Sequence, residues 1–341
     1  MPGKLSSHLK KTGGIAAVCL IAHSPTAFSA GARDAAAGPK ADPLHLRSTA
    51  EAVLSRSCPE AEKENLIWVS GFEEGCFRFV LGGRATDTQG PLWAQAQFQG
   101  PYAAEFVGKP VRSGTSALRL EWRKDAMRKD SNTSRKAMIH FGRTPTPEST
   151  DRWYGFSLFI PSKDFPADSG PYRVVLFQIH ATPDMGLGEP YRKPLLMLSV
   201  DRGVLHLLTS HDLEKVSPGN KNIDANRTNR IICPLSDLWD HWSDFVVHAR
   251  LSLKGEGVAQ VWKDGRLVAD LHGINLGYND AAGPYPSWGI YSYGSDFARR
   301  VLFLDEVRIG DKDAGYRGVA PGKMDGSARP EIEPAPTGEK P

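Results

Sequence analysis

The sequence predicts an all-β protein, a sandwich of antiparallel sheets of the jelly-roll kind, on two main observations. Asp264-Gly265 separates two strand-like segments, 258–263 and 266–271, and an Asp-Gly pair in that position is a strong hairpin signal. Long helical periodicity is missing throughout. Because the chain has 341 residues, 40% of them hydrophobic, it can bury one substantial core. We expect that single β domain over residues 63–315.

Two further strand-turn patterns extend the sheets. Segments 195–200 and 204–208 flank Asp201-Arg202-Gly203, which indicates a second hairpin. Segment 245–253 precedes Lys254-Gly255-Glu256-Gly257, which is predicted to turn into the Asp-Gly hairpin. The three successive strands should form an antiparallel meander.

The first 30 residues have the pattern of a secretory signal peptide. Three lysines precede an apolar stretch at 13–22 that is too short to span a bilayer, and Ala27-Phe28-Ser29 offers a small-residue cleavage site. An uncleaved anchor is the alternative. The pattern predicts a secreted or periplasmic protein without a membrane span, and we expect it to be a monomer.

The remaining ends of the chain are predicted to lie outside the β domain. Residues 31–62 have the composition of a linker or N-terminal cap, and the Pro-rich residues 316–341 that of a disordered tail. In an oxidising compartment Cys58 and Cys76 would close a short loop, leaving Cys233 unpaired. No Cys-x-x-Cys occurs, so the cysteine spacing does not indicate a zinc site.

Charge is balanced over the chain but not locally. Without the three lysines of the signal, the 42 basic residues become 39, against 39 acidic ones, so long-range steering by net charge is not expected. With no recognition helix or RNA-binding aromatic motif, a nucleic-acid partner is not expected either. Segment 123–136 has a local excess of positive charge, from Arg123, Lys124, Arg128, Lys129, Arg135 and Lys136. This segment is either a solvated loop or, beside a groove, an attractor of carboxylates or sulfates.

The segment 174–180 ends in two polar residues that should share one face of a strand. Strand alternation places Val175, Phe177 and Ile179 on one face, and Gln178 and His180 on the other with Val174 and Leu176. An amide beside an imidazole can polarise a substrate and move its proton. The alternative is a strand end that has reached water.

A second strand-like segment, 288–293, carries a pair of phenols. Trp288 and Ile290 should face one side, and Tyr291 and Tyr293 the other. A phenol with a perturbed pKa can donate or accept a proton. Cross-strand packing at the rim of a sheet is the alternative explanation for the two tyrosines.

These motifs together resemble those of the jelly-roll polysaccharide lyases, the group of alginate, glucuronan and heparin lyases. Gln178-Ile179-His180 is similar to the group's Gln-Ile-His motif, and residues 285–291 to its Tyr-Phe-Lys-x-Gly-x-Tyr strand, with Tyr291 at the catalytic tyrosine. Arg135 begins a segment where Arg-x-Glu-x-Arg is expected. Segments 114–120, 153–161 and 242–265 extend the similarity over about residues 70–310. Three positions depart from the pattern: Ala137 for the acidic residue, Ser287 for the lysine and Tyr293 for a glutamine.

The resemblance implies a concanavalin-like sandwich with a concave substrate groove, and β-elimination at a uronic acid of an acidic polysaccharide. Gln178 and Arg135 would bind the C5 carboxylate, His180 or a tyrosine would be the base, and Tyr291 the acid, or Tyr291 could serve as both. Tyr293 and Tyr285 would support substrate binding, as would the basic residues Arg128, Lys129 and Lys136.

The resemblance also implies a structural ion. No cofactor is expected for the chemistry, but related sandwiches hold a calcium between an early acidic segment and the last strand. Glu73 or Glu74 with Asp305 is therefore a candidate calcium site, and a plain strand-end carboxylate is the alternative.

Two other functions stay open at this point. Hydrolysis needs two carboxylates facing one bond, whereas the neighbours Asp305 and Glu306 point to opposite faces of a strand. The same sandwich also serves lectin-like carbohydrate-binding proteins that have no chemistry. Retention of Gln178, His180 and Tyr291 together favours the lyase over the lectin.

Overall fold

The structure, a computed structural model, describes residues 65–73, 79–81, 94–129, 131–141, 150–189, 191–217 and 226–322. The predicted signal peptide, linker and Cys58–Cys76 pair, together with Glu74, lie outside the described residues. Sixteen strands are present in this part of the chain: β1 (Leu66–Ser70), β2 (Phe79–Leu81), β3 (Ala94–Phe98), β4 (Ala104–Val107), β5 (Ala117–Arg123), β6 (Lys136–Phe141), β7 (Asp151–Phe159), β8 (Arg173–His180), β9 (Pro194–Asp201), β10 (Val204–Ser210), β11 (Arg227–Pro234), β12 (Trp242–Arg250), β13 (Ser252–Lys263), β14 (Arg266–Leu276), β15 (Tyr285–Ser292) and β16 (Arg299–Gly310).

The strands form two sheets of eight. The first has the order β14-β13-β12-β7-β16-β5-β4, with β1 also paired to β16, and the second has the order β11-β10-β9-β8-β15-β6-β3-β2. All pairs are antiparallel except β2 with β3. The predicted all-β sandwich of antiparallel sheets is confirmed.

The hairpins follow the turn chemistry of the sequence. Asp264 and Gly265 have φ values of 50° and 84°, and Arg202 and Gly203 have 47° and 74°, the left-handed values that two-residue hairpin turns require. The β12-β13-β14 meander is present, as predicted. The predicted turn at 254–257 lies in the chain reversal between β12 and β13, because Arg250 pairs with Val258, although β13 already pairs with β14 at Ser252.

The core lies between the two sheets and is dominated by aromatic side chains. Phe156 of β7 and Phe177 of β8 stack with ring centroids 5.0 Å apart, and Trp288 of β15 lies 5.5 Å from Phe177. All three side chains are fully buried. Burying such large side chains contributes most of the stabilisation of a sandwich of this size.

A β-bulge in β8 changes the predicted face of three residues. The pairing of β8 with β9 shifts by one residue between Val175 and Phe177. Leu176 and Phe177, neighbours in sequence, therefore both belong to the core cluster, and so does Val174. Val175 belongs to a separate cluster with Tyr291. The prediction for Phe177 and Ile179 is confirmed, but the assignment of Val174, Val175 and Leu176 was wrong because strict alternation cannot anticipate a bulge.

The C-terminal boundary also differs from the prediction. A short helix, α1 (Gly315–Val319), follows β16. Its Val319 is fully buried in a cluster with Val246 and Trp262, and a side chain on Gly155 would collide with the Val319 carbonyl, at 1.7 Å. Residues 316–322 therefore pack onto the first sheet and are not part of a disordered tail. Among the described residues, no helix is long and apolar enough to cross a membrane.

Candidate active site

The polar residues singled out from the sequence lie on the face of the second sheet that points away from the core. On β8, Phe177 and Ile179 belong to the core, so Gln178 and His180 project from the opposite face. On β15, Trp288 and Ile290 belong to the core, whereas Tyr291 belongs to the cluster on the outer face. Since β8 and β15 are hydrogen-bonded neighbours, these side chains belong to one continuous surface.

Gly289 explains why β15 can carry its tyrosines so close to β6. Its φ is +131°, and a Cβ at this position would lie 2.2 Å from the Ala137 carbonyl oxygen. Only glycine combines that backbone conformation with so close an approach. The glycine of the Tyr-x-x-x-Gly-x-Tyr pattern therefore sets the distance between the two strands.

His180 is held as a neutral base at the end of β8. Its Nδ1 lies 2.7 Å from the Ala181 carbonyl oxygen, which can only accept, so Nδ1 carries the proton and Nε2 keeps its lone pair. Burial lowers the pKa of His180 to about 4. The ring stacks on Tyr285 at 5.3 Å and meets the edge of Tyr191 at 5.8 Å. At neutral pH the imidazole can therefore accept a proton.

Tyr291 has the properties of an acid. Its hydroxyl donates to Asn132 Oδ1 at 3.0 Å and is hydrogen-bonded to the Tyr293 hydroxyl. Burial, and then the bond with Tyr293, raise the pKa of Tyr291 above its usual value. The phenol is therefore protonated at neutral pH and can give a proton to a leaving oxygen.

Lys136 is the buried cation of this surface. Its side chain is 6% exposed, its Nζ donates to Gln97 Oε1 at 2.6 Å, and the ammonium lies 4.8 Å from the Tyr291 ring centroid. Burial lowers the pKa of Lys136 to about 8. It places a positive charge beside the tyrosine that the sequence identified.

Arg135 lies at the edge of the same surface. It ends a 3-10 turn just before β6, and its guanidinium carbon is 4.9 Å from the Tyr293 ring centroid. One guanidinium nitrogen donates to the Lys129 carbonyl at 3.3 Å. Tyr293 is 55% exposed, and Arg128 and Lys129 are exposed on the adjoining loop. Arg135 and Tyr293 thus form the solvent-facing side of the surface.

Ala137 does not occupy the position that the sequence comparison gave it. Its side chain is fully buried in the core, so it does not stand in place of an acidic residue on the surface. Residues spaced by two share a face, and the outward positions of β6 are Lys136, Met138 and His140. The outward-facing residues of β6 are therefore one residue out of step with Arg135, Ala137 and Ile139, the positions compared with the Arg-x-Glu-x-Arg pattern.

His140 is a polar residue of this surface that sequence reasoning missed. It is 3% exposed, and its Nδ1 lies 2.6 Å from the Ser287 hydroxyl. Ser287 is paired with His140 on one side and with Gln178 on the other. The sequence signal was period-two spacing from Lys136, which becomes visible only when the register of β6 is known.

His140, Ser287 and Gln178 form a row of polar side chains across the neighbouring strands β6, β15 and β8. These side chains are enclosed, and some of their polar atoms have no hydrogen-bond partner among the described residues. The Gln178 side chain is fully buried, and neither of its amide atoms has a hydrogen-bond partner among the described residues. The same holds for Nε2 of His140. A substrate can reach these atoms only by displacing side chains that cover them.

Three loops at one end of the surface are joined by a buried ion cluster. Arg192, fully buried, has its Nε 2.8 Å from Glu189 and 2.7 Å from Asp280, and donates to the Ser217 hydroxyl at 2.7 Å. Burial raises the pKa of Asp280 to about 7, although Arg192 opposes the shift. Because Arg192 follows Tyr191, this cluster fixes the loop that places Tyr191 against His180.

The carboxylates proposed for calcium both have protein partners. Asp305, fully buried, accepts from the backbone amides of Arg112 at 2.8 Å and Glu306 at 2.7 Å. Glu73 accepts from the Thr115 amide at 3.0 Å and from its hydroxyl at 2.5 Å. Calcium takes six to eight oxygen ligands, and in the described ranges no group of three or more acidic, His or Cys side chains could hold a metal. The calcium site stays a prediction.

Comparison with known proteins agrees with this architecture. An endo-β-1,4-glucuronan lyase from the fungus Trichoderma reesei is 18% identical, with a TM-score of 0.53 over 65% of this chain and 90% of that one. Alginate lyases from Chlorella virus and Zobellia galactanivorans are each 11% identical, with TM-scores of 0.38 and 0.39. They cover 61% and 58% of this chain and 88% and 79% of their own. No curated protein matches the chain.

A sequence profile described as polysaccharide lyase matches residues 86–308, which include every residue of the surface described above. The match spans more than half of the chain and includes strands of both sheets, β3 to β15 in full. The chain belongs to the polysaccharide lyase family.

Proposed function

We propose that this protein is a secreted lyase that cleaves a uronate-containing acidic polysaccharide by β-elimination. The observation that carries the proposal is the placement of a neutral imidazole, a protonated phenol and a buried ammonium on one sheet face. These are His180, Tyr291 and Lys136. Family membership supports a polysaccharide substrate, and the glucuronan lyase of similar fold favours a polyuronate.

The chemistry follows from the states of these groups. Nε2 of His180 takes the proton from C5, the C5–H electrons form the C4–C5 double bond, and the C4–O4 bond breaks. The leaving O4 takes the proton of Tyr291, and the tyrosine regains one through solvent from the protonated His180. Each group begins in the protonation state that its step requires.

The carboxylate of the uronate must be bound before the proton on C5 becomes acidic enough for a base to remove it. As the proton leaves, charge moves from C5 onto the carboxylate, and donors aimed at it lower the barrier. Gln178 and Arg135 are assigned to the carboxylate. Lys136 adds positive potential from beneath the Tyr291 ring.

Export is part of the proposal and rests on the sequence of residues 1–30. A cell-fractionation experiment with the full chain, carrying a C-terminal epitope, tests it. Recovery of a shortened protein outside the cytoplasm is expected. A full-length protein retained in the cytoplasm would contradict export without bearing on the chemistry.

Activity is tested with a panel of polyuronates: glucuronan, polymannuronate, polyguluronate and a sulfated glycosaminoglycan. We expect ultraviolet absorbance from the new double bond to appear with at least one of them. Binding without any product would instead favour the lectin-like alternative. New reducing ends without absorbance would indicate hydrolysis.

A further inference from the structure

We infer that His140 and Ser287, together with Gln178, form a neutral hydrogen-bonding cradle for the uronate carboxylate. The inference deepens the proposed function and rests on it. It assigns a role to two residues that the Gln-Ile-His and tyrosine motifs leave without one.

The three residues lie in one row across three neighbouring strands. Ser287 of β15 is the register partner of His140 on β6 and of Gln178 on β8. Adjacent strands lie about 4.8 Å apart, so the row spans about 10 Å from β6 to β8, with Ser287 at its centre. All three side chains are 3% exposed or less.

The row contains more hydrogen-bonding capacity than its members satisfy. Both amide atoms of Gln178 and Nε2 of His140 are buried without a hydrogen-bond partner among the described residues. Leaving one such group unsatisfied costs about 1–3 kcal/mol. Three such atoms lie in this one row, and a ligand with polar atoms could satisfy them together.

The His140–Ser287 pair presents a donor in either tautomer. If the Ser287 hydroxyl donates to Nδ1, the imidazole keeps a free Nε2–H; if Nδ1–H donates to the hydroxyl oxygen, the serine hydrogen is free. Gln178 adds its amide hydrogens. The row therefore offers two or more neutral donors, which suits an acceptor-only group such as a carboxylate.

Neutral donors in a buried position are suited to the transition state. Burial, Lys136 and His180 all lower the pKa of His140, so it remains uncharged. Donors without net charge, held in place and shielded from water, stabilise the charge that grows on the carboxylate as the C5 proton leaves. The departure from the family motif at Ser287 is then a compensated change, because Ser287 and His140 together supply the donor.

Kinetics of three serine variants test the inference. Ser287→Ala removes only the hydroxyl and should lower kcat on the active polyuronate by about 100-fold, with little change in KM. Ser287→Thr retains the hydroxyl and should recover most of that loss. Ser243→Ala is the matched control, since Ser243 is also fully buried but lies on β12 of the first sheet. Its activity should equal that of the wild type.

A binding measurement separates a carboxylate site from a row that only holds water. In the Tyr291→Phe background, calorimetry would compare a uronate tetrasaccharide with its methyl ester. The acid should bind more tightly than the ester, and Ser287→Ala should remove most of this preference. In parallel, the nitrogen-bound proton of ¹⁵N-labelled His140 should shift with the acid and not with the ester.

The outcomes are distinct from those for the proposed function. Absence of cleavage of every polyuronate by the wild type would contradict the function itself. Normal cleavage by the wild type and equally by Ser287→Ala, or a His140 resonance that responds alike to acid and ester, would overturn the cradle alone. Thermal unfolding of each variant reports whether it is folded; should Ser287→Ala be unfolded, the His140 measurement on the Tyr291→Phe protein decides.

Discussion

The ammonium of Lys136 lies 4.8 Å from the centroid of the Tyr291 ring. An ammonium over the face of a phenol is attracted by the ring, and more strongly where both are shielded from water. Here both side chains are at most 7% exposed. The contact therefore holds the tyrosine ring and keeps a positive charge beside the proposed acid.

This arrangement predicts a pH profile with two limits. His180 must be neutral to act as a base, so kcat/KM should fall as the pH drops through about 4, where the imidazole becomes protonated. Lys136 must be charged, so kcat/KM should fall as the pH rises through about 8. Arginine stays charged at every accessible pH, so Lys136→Arg should remove the alkaline limit. An unchanged alkaline limit in that variant would contradict the role of Lys136.

Replacement of Tyr291 by Phe should remove turnover but not binding. The change deletes one hydroxyl, and proton donation by a positioned group contributes about 10²–10⁴-fold to the rate. We expect a loss of kcat in that range with the dissociation constant for the polysaccharide nearly unchanged. Tyr316→Phe, on α1 against Trp262 of the other sheet, is the control and should be fully active. Full activity of Tyr291→Phe would show that another group is the acid.

The basic loop should act differently from Arg135. Arg128 and Lys129 are exposed, so replacing both by Gln should raise KM and weaken its dependence on salt while kcat is kept. Arg135→Ala should lower kcat, because a partner of the carboxylate acts most strongly in the transition state. Lys254→Gln, an exposed lysine on β13, should change neither quantity. Equal, salt-insensitive effects of the loop and Arg135 variants would contradict this division.

Replacement of Arg192 by Met should destabilise the fold. It leaves Glu189, which is fully buried, without its cation, and breaking a buried pair in this way costs about 3–5 kcal/mol. Urea unfolding followed by tryptophan fluorescence measures the change. Arg173→Met removes a partly exposed pair with Asp201 and should cost less than about 1 kcal/mol. Similar losses for the two variants would show that the Arg192 cluster is not specifically stabilising.

Much of the fold could be predicted from short-range patterns. The Asp264-Gly265 and Arg202-Gly203 turns were recognisable because their backbone conformations need particular residues. The alternation of Trp288, Ile290 and Tyr291 was likewise readable. What could not be predicted is the bulge at Leu176, since an extra residue in one strand depends on its partner strand.

The site was predictable only in part, for a related reason. Gln178, His180 and Tyr291 share a sheet face through local strand periodicity, as expected. The row through His140, Ser287 and Gln178 depends on register between strands that are more than a hundred residues apart in sequence. The helix α1 was missed because the Pro-rich composition that follows it concealed the single buried anchor, Val319.

The mass of the products tests the central claim most directly. In β-elimination the two fragments of a cut polyuronate together weigh the same as the substrate, and one carries a C4–C5 double bond. Hydrolysis adds one water. We predict, from a defined uronate oligosaccharide digested by the wild-type protein, fragment masses that sum to the substrate mass, and formation of these fragments about 10²–10⁴-fold more slowly with Tyr291→Phe. Fragments whose sum is one water heavier, or elimination by Tyr291→Phe at the wild-type rate, would contradict the account.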